Sequence, residues 1–113
     1  MSRQSLQRLE DLAALILDGR LSALRHAARA KADSEERLAG LAAPPAPEGL
    51  SGAAGELAAL NYQRWADARR AEINRVLARQ TAELAEATDA ARTAFGRRQA
   101  LAGLVGITEK PRR

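Results

Sequence analysis

Pro44, Pro45 and Pro47 fall within four residues, and the long stretches on either side of them contain no proline. Each proline lacks a backbone donor, fixes φ and restricts the residue before it, so no helix passes through this point. The break spans residues 43–52, Ala-Pro-Pro-Ala-Pro-Glu-Gly-Leu-Ser-Gly. Whatever the chain folds into is therefore two segments with a stiff link between them. Ser51, next to the end of the link, has the side chain of an N-cap for the second segment.

Both segments read as helix. In the first, about residues 2–42, positions Leu17, Leu21, Leu24, Ala28, Lys31, Glu35 and Leu38 recur with 4,3 spacing, which is a heptad seam. Leu6, Leu9, Leu12, Leu15 and Ile16 widen the apolar face near its start. Lys31 and Glu35 lie four apart on the seam, so they pair or snorkel, and the seam is expected to loosen there. Gly19 in the helix interior costs about 1 kcal/mol relative to alanine.

In the second segment, about residues 53–104, the seam is Ile73, Leu77, Gln80, Leu84, Ala87, Ala91, Ala94, Arg98, Leu101 and Val105. Gly103 and Gly106 weaken the helix and Pro111 forbids its return, leaving residues 105–113 as a basic tail. At a rise of about 1.5 Å per residue, forty and fifty residues span roughly 60 and 75 Å. Helices with such narrow apolar stripes need a partner. The short link makes each helix the partner of the other. The expected fold is all-α: two long helices in an antiparallel coiled-coil hairpin, one domain over residues 1–113.

Composition agrees with a thin seam. Hydrophobic residues are 46% of the 113-residue chain, but aromatics are only 3%, with one Trp, one Tyr and one Phe. There are too few large side chains to fill a thick core. The chain has no cysteine, so neither disulfides nor thiolate metal sites arise. It has no apolar run long enough for a membrane span and no signal-peptide core at its start. A cytoplasmic protein is the expectation.

The net charge of +4 is uneven: residues 1–42 carry seven basic and six acidic side chains, and residues 56–113 carry eleven and seven. This modest excess could favour nucleic acid or an acidic protein surface. Arg69, Arg70, Arg75 and Arg79 form a basic stretch, as do Arg97 and Arg98, but Glu72, Glu83, Glu86 and Asp89 interrupt it. A solvated face laced with i,i+4 pairs is the better reading than a nucleic-acid stripe. His26 is the single histidine and has no companion with which to bind metal or act as a base. The glycines sit at breaks, with no phosphate-binding loop and no nucleophile constellation. The expectation is a binding protein, not an enzyme, with no cofactor.

Asn61-Tyr62-Gln63-Arg64-Trp65 places two of the three aromatics three residues apart, on one helix face beside the link. Two readings stand. The pair plugs the tip against Leu38, Leu41 or Leu50, or it is a binding anchor, since Trp and Tyr dominate interface hot spots.

This segment, followed by a long heptad helix to Phe95-Gly96-Arg97-Arg98-Gln99-Ala100-Leu101, resembles the second half of the FliJ family, whose injectisome counterpart is the YscO family. The resemblance covers about residues 57–104, and the first helix is similar only in heptad character and length. It lacks the aromatic residues that the family carries near the end of that helix. The resemblance implies a helical hairpin similar to the stalk of a rotary ATPase γ subunit, within a flagellar or injectisome type III export apparatus. It implies binding to the hexameric export ATPase, to the cytoplasmic domain of the export gate and to export chaperones, at the inner membrane. Tyr62 and Trp65 match the family's partner-facing aromatic positions. With Arg69, Arg97 and Arg98 they are the candidate partner-binding residues. A generic coiled-coil adaptor, or a nucleic-acid binder using its basic helix, stays open beside this reading.

Overall fold

The computed structural model describes residues 2–41 and 52–109. Within them the fold is all-α, with helix α1 over Arg3–Ala39 and helix α2 over Gly52–Glu109. The proline link, the Ser51 cap and residues 110–113 of the expected tail lie outside the described residues.

Helix α1 starts at a serine cap. Ser2 Oγ accepts a hydrogen bond from the Ser5 backbone N–H at 3.1 Å, and the Ser2 carbonyl accepts one from Leu6 N–H at 3.0 Å. This satisfies a donor that the first turn would otherwise leave open. At its other end α1 stops at Ala39, three residues before the expected boundary at 42. Gly40 N–H still bonds Glu36 O at 3.0 Å, but Leu41 N–H has tightened onto Leu38 O at 3.1 Å. That three-residue closure is how a helix end uses up its last carbonyls.

Helix α2 runs 58 residues and corrects the expected boundary at 104. It passes through Gly103 and Gly106 as far as Glu109, so the expected tail of residues 105–113 begins as helix. Val105 is buried on the seam between the two glycines. Thr108 Oγ1 donates to the Leu104 carbonyl at 2.9 Å in the same turn. Packing of that order offsets the roughly 1 kcal/mol that each glycine costs. At the start, Gly52 has φ 63, the left-handed region that glycine enters without a Cβ clash.

The chain divides into two compact units. The first comprises the described residues of Met1–Ala28 and Glu83–Arg113, and the second is Arg29–Ala82. Each unit is an antiparallel pair. In the first, Leu9, Leu12 and Ile16 lie with Ala94, Arg97 and Leu101, while Leu21 and Leu24 lie with Thr88 and Ala91. Numbers rise on one helix as they fall on the other. In the second, Leu41 meets Arg70, and Ser34 lies with Ile73 and Val76.

The buried positions follow the heptad. In α2, Ile73, Ala91, Ala94 and Val105 are buried and Leu77, Gln80, Leu84, Ala87 and Leu101 are partly so, as the spacing predicts. Arg98 departs from it and is exposed, because water solvates a guanidinium that the seam cannot pair. In α1 the seam runs through Ala27 and Ser34 instead of the expected Ala28 and Glu35. The observed register takes two steps of three in succession, Leu21–Leu24–Ala27, and then resumes the 4,3 rhythm through Lys31, Ser34, Leu38 and Leu41. It buries a small hydroxyl and leaves the Glu35 carboxylate in water, which avoids a desolvation cost of several kcal/mol.

Candidate partner-binding surface

Ala66, only 2% exposed, takes the seam position in the aromatic segment of α2. Tyr62, four residues earlier, shares that face and is half-buried. Trp65 is one residue off the seam, and the 100° step per residue turns it outward. It is 56% exposed. The two rings stand 5.7 Å apart between centroids, tilted by 49°. That is the tilted, offset arrangement aromatic pairs favour, and it holds the indole in place without burying it. Of the two readings of this pair, the outward turn of Trp65 favours the binding anchor. Leu50, one of the proposed plug partners, lies outside the described residues.

Trp65 forms one wall of an open depression of about 330 Å³ along α2, with Ala68, Arg69 and Glu72. These residues are spaced three, four and seven after Trp65, so one helix face builds it alone. Arg69 Nη1 bonds Glu72 Oε2 at 2.9 Å, and both side chains are well exposed. Such a pair adds little stability. It does fix a polar rim next to a bare indole, the composition of an interface anchor with its surround.

Arg70 does something that spacing alone did not reveal. Its Nη1 bonds Asp67 Oδ1 at 2.7 Å, and its Nη2 donates to the Leu41 carbonyl at 2.6 Å. A cation thus closes the C-terminal end of α1, where carbonyls are left over and the helix dipole is negative. The Asp67-x-x-Arg70 spacing was a legible signal for the first bond. The second joins residues 29 apart. The expected pairing of the basic stretch is realised here at i,i+3, through Arg69–Glu72 and Asp67–Arg70.

Arg97 and Arg98 belong to the first unit, whereas Tyr62, Trp65 and Arg69 belong to the second. Each unit thus carries part of the candidate set. Arg98 is exposed. Arg97 borders an apolar groove between α1 and α2 whose other walls include Leu9, Leu12, Ile16 and Leu101. In the sequence Leu9, Leu12 and Ile16 read only as a widened apolar face, and Leu101 as a seam position.

His26 is exposed on α1. Among the described residues no three His, Cys, Asp or Glu side chains converge on a point that would hold a metal ion. Nor is any helix among them long and apolar enough to cross a membrane. Comparison of the chain with protein-family models, with curated proteins and with solved structures found no match.

Proposed function

We propose that this chain is a coiled-coil component of a type III protein export apparatus, binding other proteins and catalysing nothing itself. In this reading it works in the cytoplasm beside the export gate. It engages the export ATPase hexamer, the cytoplasmic domain of the gate and export chaperones. The reading starts from the resemblance of residues 57–104 to the FliJ and YscO families. The observation that supports it most directly is the outward-facing Trp65, held by Tyr62 and rimmed by Arg69 and Glu72. In a chain with three aromatics, one is turned outward from the seam and a second, Tyr62, packs beside it. Tyr62 and Trp65 contact the gate domain, and the arginines of the first unit, Arg97 and Arg98, face the ATPase.

The test uses the purified gate domain and the purified ATPase of the same export system. Replacing Tyr62 and Trp65 together by alanine weakens gate binding by more than about 1 kcal/mol, as loss of an interface anchor does. Helical signal and ATPase binding stay unchanged. Normal gate binding by the folded double variant removes the patch from the proposal. Failure of the parent chain to bind either protein removes the export reading altogether.

The alternative, a nucleic-acid binder, has one observation in its favour: α2 carries Arg92, Arg97 and Arg98 between Asp89 and Glu109 with no carboxylate among them. It predicts an affinity for duplex DNA that falls steeply with salt.

A further inference from the structure

Helix α1 carries two apolar seams side by side in the first unit. One, through Leu6, Ala13 and Leu17, is buried against α2. The other, Leu9, Leu12 and Ile16, has the same 3,4 spacing and is between 38% and 53% exposed. A helix that packs against a single partner needs one stripe; a second stripe at heptad spacing is what a helix in contact with two others carries. With Leu101 of α2 this second seam walls a groove of about 170 Å³. Leu104, three residues on from Leu101, continues the same face and is half exposed. The volume is below the 300–1,000 Å³ of ordinary small-molecule sites. It suits the inserted side chains of a helix.

The charged side chain that lines the groove is a cation, Arg97. Arg8 lies four residues before Leu12, on the same side of α1. Of the carboxylates of α1 in this unit, half-buried Glu10 shares the face of Leu6 and Ala13, on the flank of the buried seam away from Leu12, while Asp11 and Asp18, seven apart, turn away from that seam; α2 has no carboxylate between Asp89 and Glu109. A second copy docking through the same face would set Arg8 and Arg97 of both molecules against each other, because an isologous contact repeats one surface. An acidic partner meets no such repulsion.

We propose that the groove of Leu9, Leu12, Ile16 and Leu101 receives an amphipathic helix from another protein, its apolar residues at heptad spacing and its flanks acidic, with Arg8 and Arg97 pairing its carboxylates. The inference goes beyond the export reading and holds whether or not that reading does, since it uses neither the Trp65 patch nor any export protein.

The probe is a synthetic amphipathic helix of about three heptads, with leucines at 3,4 spacing and glutamates on the flanks. The control probe has lysines on the flanks. Binding to the full chain is followed by calorimetry at low and high salt. The acidic helix binds, at least about tenfold more tightly than the basic one, and salt weakens it. Arg97→Glu inverts that preference. Leu12→Ser with Ile16→Ser abolishes binding and leaves the melting curve nearly unchanged, while Leu15→Ser, exposed but off the groove, has no effect on binding. The proposal is overturned by equal affinity for the two probes, by no binding of either, or by binding that survives the Leu12/Ile16 change. It is also overturned if the chain sediments as a dimer that this same change dissociates, or if it prefers anionic lipid vesicles to the acidic helix.

Discussion

Among the described residues the first unit buries six hydrophobic side chains, Leu6, Ala13, Leu17, Ala91, Ala94 and Val105; the second buries three, Leu41, Ala66 and Ile73, beside the polar Ser34. The surfaces differ in the same sense. The first unit exposes Leu9, Leu12, Leu15, Ile16, Phe95, Leu104 and Ile107, and the second exposes Leu57, Leu60 and Trp65. One part of the same helix pair thus has more apolar surface than its own seam can cover. The other has barely enough and adds a polar contact, Arg70 on Leu41, while the Oε1 of its half-buried Gln80 has no hydrogen-bond partner. The lesson is that antiparallel pairing of this kind is sustained in two ways. Where leucine is abundant, dispersion and burial suffice, and the surplus is available for a partner. Where it is scarce, each remaining large side chain and each directional bond matters more.

The strongest way to break the comparison is to charge a buried position in each unit. Ile73→Asp places a carboxylate at a buried aliphatic position of the second unit, and should cost about 4 kcal/mol. Leu84→Asp strikes the first unit at a half-buried position and should cost less, about 2 kcal/mol, because water reaches part of the new charge. Hydrogen exchange read amide by amide should show protection lost first in residues 29–82 for Ile73→Asp. Uniform loss along the chain would mean that the two units open together. The exposed change Glu86→Ala serves as the reference and should leave the melting temperature within error.

A smaller effect sharpens the polar half of the contrast. Arg70→Ala removes the donor to the Leu41 carbonyl, and should destabilise by about 1–2 kcal/mol. The loss belongs to the last turn of α1, so exchange should speed up at residues 36–41 and not at residues 3–28. Arg70→Lys restores the charge but not the two-armed geometry, and should recover only part of the stability. Last in size is Gly52→Ala. There is room for a Cβ, but φ 63 disfavours one, and the cost should be about 1 kcal/mol by thermal melting.

From Ile73 onward the seam of α2 was legible at every position but Arg98, while Ala66, 2% exposed, lay before the part that was read. Leu77, Leu84, Leu101 and Val105 leave only one register in which all of them face inward. The seam of α1 between Leu24 and Leu38 was not, because Ala27 and Ala28, like Ser34 and Glu35, offer neighbouring heptads of equal spacing. What separates the two is the cost of burying Glu35, which a pattern of apolar residues does not register. The reach of α2 past Gly103 was missed for a related reason: propensity counts the glycines but not the burial of Val105 between them. In the candidate site, Trp65 and Tyr62 stood out by type and spacing. The Arg70 contact was hidden, since it depends on which residue of α1 lies opposite. The groove at Leu12 and Ile16 was visible as an apolar excess, though not as a second stripe with a basic rim.

Alanines at the buried positions have a thermal consequence. Ala13, Ala66, Ala91 and Ala94 make up much of the seam, and each contributes little apolar area. The heat capacity change on unfolding follows that area, at about 0.45 cal/mol/K for each Å² exposed. A chain that hides so little carbon should unfold with a heat capacity increment below the roughly 12–15 cal/mol/K per residue of ordinary domains. Its stability curve is correspondingly flat. It loses structure gradually on warming, and it is nearly indifferent to cold.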